Sequence, residues 1–185
     1  MQHRGGVFFL DFEAFQHGDE DYQIKELCVM DAANPLRIMS YIFAPPSRWD
    51  LLTSEQKATY RFQKERLHRL SWHEGFMRYC NQCVQRDISI WVAAAGAYSL
   101  NDSLFYTIGE QKAEFLNRQF PNLNIMCYPV ELKRLPPVSS HMRCIYREHG
   151  RLRRRADHHH HRADEKIHCA MLKCYKMYLH YCFAR

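Results

Sequence analysis

Between Gly5-Gly6 and Gln16 the chain reads Val7-Phe8-Phe9-Leu10-Asp11-Phe12-Glu13-Ala14-Phe15. The run predicts a first strand, Val7 to Glu13, almost wholly apolar apart from two acids near its end. The two-residue repeat of a strand puts Asp11 and Glu13 on one face. Two carboxylates on a strand this apolar are costly unless something pairs with them, and a divalent cation is a common partner. Two solvent-facing acids at a strand end would need none.

Beyond this strand the chain is built of short elements separated by turns. A polar turn over 16–22 leads to a second strand, Ile24 to Met30, which carries Glu26 in a mostly apolar run. Asn34-Pro35 marks another turn before a third strand, Leu36 to Phe43. Three strands joined by short turns predict an antiparallel meander. Thr53-Ser54-Glu55-Gln56 has the form of a capping box and opens a helix over 54–67. Ser71-Trp72-His73-Glu74 has the same form and predicts a second helix, through Cys83. Ile88 to Ala95 is apolar and reads as a strand. Leu104 to Ile108 is a short strand, Glu110 to Phe120 a helix ended by Pro121, and Leu123 to Tyr128 another strand. That order predicts a parallel crossover unit. A last helix runs from Asp164 to His180. Ile167, Ala170, Met171, Cys174 and Tyr178 form its core face, and Lys166, Lys173, Lys176 and His180 its outer face. Cys80-Asn81-Gln82-Cys83 is a single CxxC, read as packing because one such pair lacks the second pair a zinc site needs.

At 185 residues the chain suits one domain spanning 1–185, with no apolar run long enough to cross a membrane. Eight cysteines without a secretory pattern point to a reducing compartment, hence an intracellular protein of cytoplasm or nucleus. The net charge of +6 is unevenly placed: Arg143, Arg147, Arg151, Arg153, Arg154, Arg155 and Arg162 fall in one segment. Such a segment suits phosphates, whose attraction to arginine is strong and salt-sensitive. A solvated basic loop or a localisation signal has the same composition.

Asp11-x-Glu13 on the first strand, the meander, a helix, the crossover unit and His159-x4-Asp164 opening a terminal helix together resemble the DEDDh exonucleases of the ribonuclease H-like fold. The resemblance covers nearly the whole chain in order. It implies an α/β domain: a mixed sheet, three antiparallel meander strands plus parallel strands, flanked by helices. In that family two divalent ions, Mg²⁺ or Mn²⁺, sit between carboxylates, one activating water and the other steadying the leaving oxygen. On this template Asp11, Glu13 and Asp164 are metal ligands and His159 is the general base. The four-histidine run, His158 to His161, offers several registers for that base. The middle motif departs from the family. Aligning on Phe115-Leu116 puts Lys112 where the family has an Asp. An ammonium cannot ligate a metal, though it can occupy a metal's position electrostatically. Asp102, Glu110 and Glu114 are the acids nearest that place.

A second constellation is Glu26, Cys144, His149 and Cys169. Arg143-Cys144, a following His and a Cys169-Ala170 helix start resemble the Maelstrom domain, a branch of the same fold with a Glu-Cys-His-Cys zinc site. The resemblance implies structural zinc held by those four residues. An Arg- and His-rich insertion separates His149 from the helix, and this chain, unlike that branch, keeps Asp11 and Glu13. Together the two resemblances imply a divergent 3′–5′ exonuclease-like or Maelstrom-like nuclease. Its partner would be single-stranded nucleic acid, RNA ahead of DNA, with Arg151, Arg153, Arg154 and Arg155 holding phosphates. The competing expectation is an inactive, zinc-stapled module of the same fold that binds RNA or protein.

Overall fold

The computed structural model describes residues 5–18, 22–68, 70–95, 99–131, 134–135 and 169–184. Among the described residues six strands form one sheet: β1 (Val7–Gln16), β2 (Tyr22–Asp31), β3 (Ile38–Ala44), β4 (Met77–Arg78), β5 (Leu104–Thr107) and β6 (Asn124–Cys127). The α-helices among these residues are α1 (Ser54–Gln63), α2 (Asn81–Ala93), α3 (Glu110–Gln119) and α4 (Ala170–Phe183). The strand order is β4-β3-β2-β1-β5-β6. β2 pairs antiparallel with β1 and β3, while β5 runs parallel to β1, and β6 to β5. This is a mixed α/β sheet consistent with the ribonuclease H-like fold, with the meander and crossover unit in the expected places.

Strand alternation divides the core. Phe8, Leu10 and Phe12 of β1 pack with Leu27 and Val29 of β2 under Val84, Ile88 and Val92 of α2 and Phe115 and Leu116 of α3. Phe9, Cys28 and Met30 face the other way, against Ala170, Met171, Cys174 and Met177 of α4. Helices therefore cover both sheet faces, and β1, between β2 and β5, lies deep in the domain.

Two local expectations are corrected. Of the run Ile88 to Ala95, residues 88–93 belong to helix α2 and the last two to the turn that ends it, so no strand forms there. Val84, Ile88 and Val92 recur at four-residue spacing and are the buried residues of α2, a repeat that a short apolar run conceals. The helix expected from Ser71 does not form, although the Glu74 carboxylate does accept the Ser71 N–H at 3.1 Å. Gly75 intervenes at φ 106°, and a Cβ there would lie 2.1 Å from the Phe43 carbonyl oxygen. The chain instead runs close along β3 and adds β4 parallel to it. The capping box of α1 forms as expected, with Thr53 and Gln56 exchanging both bonds, and a π-helical turn, Lys64–His68, extends it.

Fully buried Lys25 holds this region together. Its ammonium donates to the carbonyls of Phe43 at 2.6 Å, Trp72 at 3.0 Å and Glu74 at 2.5 Å. Burial pushes its pKa from 10.5 down to about 8, with Glu74 acting in the opposite direction. Between those values the folded group has lost its proton while the unfolded one keeps it, so this residue's contribution to stability rises with pH. Denaturant titrations of wild type and Lys25→Met are expected to diverge in favour of wild type from pH 8 to 10. A difference that stays flat with pH would refute this.

Candidate active site

Asp11 and Glu13 share the β1 face that looks towards α4, as the alternation predicts. Asp11 is fully buried and Glu13 nearly so. Both carboxylates are met by ammonium groups from the chain itself. Lys112, in the first turn of α3, places Nζ 2.5 Å from Asp11 Oδ1 and also donates to the Phe12 carbonyl. The Asp11 Oδ2 accepts the Ile108 N–H at 3.3 Å, and Oδ1 accepts the Phe12 N–H at 2.7 Å. Lys173, in the first turn of α4, places Nζ 2.5 Å from Glu13 Oε1, with both side chains 8% exposed. Burial opposes the charge on Lys173, but Asp11 and then Glu13 outweigh it and hold its pKa above the ordinary lysine value. The Lys112 ammonium also lies 4.5 Å from the Phe12 ring centroid, a cation–π contact.

Lys112 thus supplies the counter-charge of Asp11. Lys173 corrects the reading of the last helix: it lies on the buried face, not the outer one. Its place three residues after Ala170 and four before Met177 is core spacing, and that spacing is the signal available in the sequence. Lysine is seldom buried without a partner, and the partner here lies on the first strand.

The described members of the two constellations, Asp11 and Glu13 of the first and Glu26 and Cys169 of the second, lie side by side. Glu13 and Glu26 are register partners across β1 and β2, as are Asp11 and Cys28. α4 lies across both strands. The Glu26 Oε1 faces the Cys169 sulfur at 3.5 Å, and its Oε2 accepts the Ala170 N–H at 3.2 Å. A carboxylate at a helix start satisfies a free N–H and favours the helix dipole. One turn on, Cys174 packs against β1 and β2, its thiol near the carbonyls of Phe9 at 3.5 Å and Cys28 at 3.6 Å. Burial first, then the hydrogen bond with Cys174, pushes the Cys28 thiol well up, so Cys28 is an inert packing group.

The carboxylates and thiols can be tested against the metals the resemblances imply. Among the described residues, no group of three or more His, Cys, Asp or Glu side chains could hold a metal ion. Asp11 and Glu13, each with an ammonium at 2.5 Å, form a set of two negative and two positive charges. That set does not fit a pair of divalent cations. Asp102, Glu110 and Glu114, the acids nearest the middle motif, are all exposed. The Glu26 and Cys169 pair is different. Ligands of a tetrahedral zinc, one sulfur at about 2.3 Å and one oxygen at about 2.1 Å, lie roughly 3.6 Å apart. The observed 3.5 Å between Cys169 Sγ and Glu26 Oε1 fits one edge of such a site. Cys144, His149, His159, Asp164 and the arginines at 151 and 153–155 lie outside the described residues.

The strand order is that of a mixed α/β sheet consistent with a ribonuclease H-like fold, and the acids at its centre are paired internally. No protein-family model matches the chain, and no curated protein matches it. Among solved structures it is similar to the Mopeia virus exonuclease domain, fully depleted of manganese. The two share 12% sequence identity at a TM-score of 0.48, covering 100% of this chain and 79% of that one. Among the described residues no helix is long and apolar enough to cross a membrane.

Proposed function

We propose that this chain is a non-cleaving nucleic-acid-binding domain of the nuclease fold, in which two lysines stand where divalent ions would act. The observation that carries this reading is the pairing of Lys112 with Asp11 and of Lys173 with Glu13, each at 2.5 Å. A carboxylate engaged this closely in a dry site has little charge left to offer a cation. What supports nucleic acid as the ligand is the arginine segment from Arg143 to Arg162, with Arg151, Arg153, Arg154 and Arg155 as its densest part. Guanidinium groups pair with phosphates bidentately, and each neutralised phosphate of a single strand adds about 0.7 to the salt-dependence slope.

A second element of the reading is a structural zinc held by Glu26, Cys144, His149 and Cys169. The Glu26 and Cys169 spacing favours it. Bound there, zinc would tie the start of α4 to β2 and leave no open position for chemistry.

The test is cleavage and binding measured together on end-labelled single-stranded RNA and DNA, with Mg²⁺, Mn²⁺ or EDTA. The expected result is salt-dependent binding without shortening, unchanged by Asp11→Asn. RNA is expected to bind more tightly than DNA. Metal-dependent shortening that Asp11→Asn abolishes would replace this reading with that of an active two-metal exonuclease. Cleavage that survives both EDTA and Asp11→Asn would point instead to Maelstrom-like chemistry elsewhere in the chain.

A further inference from the structure

The CxxC between β4 and α2 is not a packing pair. Cys83 is exposed and Cys80 half-buried, whereas Cys28, Cys169 and Cys174 are buried. Cys80 is the N-cap of α2, with extended backbone at φ −146° and ψ 110°. Its sulfur accepts the Cys83 N–H at 3.4 Å, as a Ser or Asp cap would. The free N–H groups and positive dipole end of a 13-residue helix therefore converge on Cys80.

The neighbouring groups act in the same sense. The Cys83 thiol and then the Cys83 N–H hold Cys80 below the ordinary thiol range; desolvation opposes them, and the Gln82 N–H and the Arg86 guanidinium add smaller effects in the lowering sense. The shared hydrogen bond, then some desolvation and the Cys80 charge, pushes Cys83 up, with Arg86 opposing and Asp87 adding a little. One sulfur is disposed to be a thiolate, and its neighbour to keep a proton. Among the described residues no further His, Cys, Asp or Glu completes a metal site around them.

We propose that Cys80 and Cys83 form a redox-active dithiol that exchanges with small-molecule disulfides, with Cys80 as the attacking and Cys83 as the resolving residue. The Cys80 thiolate attacks one sulfur of a disulfide RSSR, forming Cys80–S–S–R and releasing RS⁻. Cys83 then gives its proton to solvent, and its thiolate attacks the Cys80 sulfur and expels the second RS⁻. The dithiol loses two electrons and two protons and becomes the Cys80–Cys83 disulfide, while RSSR gains them and becomes two RSH. Residues three apart at a helix start fall within the roughly 4.4–6.8 Å Cα separation that a disulfide spans. The thiolate, not the thiol, carries the first step, which is why the helix N-terminus matters. This site is independent of the carboxylate site and of its proposed role.

The experiment is treatment of the reduced, folded chain with glutathione disulfide, followed by residue-resolved mass spectrometry. Wild type is expected to form the intramolecular Cys80–Cys83 disulfide. Cys83→Ser should stop at a Cys80–glutathione mixed disulfide, and Cys80→Ser should leave Cys83 unmodified over the same time. In parallel, iodoacetamide at pH 7 should alkylate Cys80 roughly tenfold faster than exposed Cys182. Two outcomes would overturn the proposal: separate glutathione adducts on Cys80 and Cys83 in wild type, or alkylation of Cys80 no faster than of Cys182.

Discussion

Lys173→Met is expected to cost the fold about 3–5 kcal/mol, the usual penalty for stranding one partner of a buried ion pair. For a domain of this size that corresponds to a drop in Tm of roughly 10 °C. The physical cause is Glu13, whose buried carboxylate loses the ammonium at 2.5 Å. The lysine's raised pKa means that its contribution is complete below the ordinary lysine value of about 10.4 and is lost only as pH rises through the folded one, so neutral pH tests it at full strength. Glu13→Gln with Lys173→Met should recover most of the loss, because the pair's two charges are removed together. The same geometry predicts a metal response. In Lys112→Met/Lys173→Met both carboxylates lose these ammonium groups, and millimolar Mn²⁺ should raise the Tm of that variant while leaving wild type unchanged. Equal stabilisation of wild type by Mn²⁺ would show that the carboxylates remain open to cations despite the lysines, and would return the site to metal chemistry.

The second large effect concerns the start of α4. Glu26→Ala is expected to destabilise by about 3 kcal/mol, since the buried side-chain acceptor of the Ala170 N–H and of the Cys169 thiol is lost. If zinc joins this pair, the purified chain should carry about one zinc per molecule, and a chelator should lower its Tm by roughly 10 °C or more. Glu26→Gln, which keeps an acceptor for Ala170 but is a poor zinc ligand, should then lose both the metal and the chelator response. A chain free of zinc, with a Tm indifferent to chelator, would leave Glu26 as a helix cap alone. The two experiments separate neighbouring parts of one surface: the first reads Glu13 and the second its register partner Glu26.

The surroundings of these groups explain why the role of Lys173 is hard to read from sequence. Lysine at one position of an amphipathic helix is normally a solvated residue, and that residue type outweighs the core spacing of Lys173 from Ala170 and Met177. Lys112 is legible because a family template draws attention to its position. Its contact with Asp11 needs the turn after β5 to bring the N-terminus of α3 to the end of β1. Glu26 and Cys169 are legible as residue types, but their approach depends on α4 lying across β2. The apolar run 88–95 misleads because a few consecutive apolar residues fit a strand and a buried helix equally, and the deciding partner, Val84, lies outside the run.

What the amino-acid order determined by itself is local. Alternation along Val7 to Phe15 is enough to put Asp11 and Glu13 on one face, the meander arises from three apolar runs and their turns, and Thr53 to Gln56 encodes its own capping box. These depend on interactions within a few residues, which sequence spacing records directly. The tertiary structure alone decided what those carboxylates meet. An ion pair in a dry interior is set by which charged groups the packed helices bring within hydrogen-bond distance, and for Glu13 that group comes from the opposite end of the chain. Its burial there, not its residue type, turns Lys173 from a surface lysine into the counter-charge of the site.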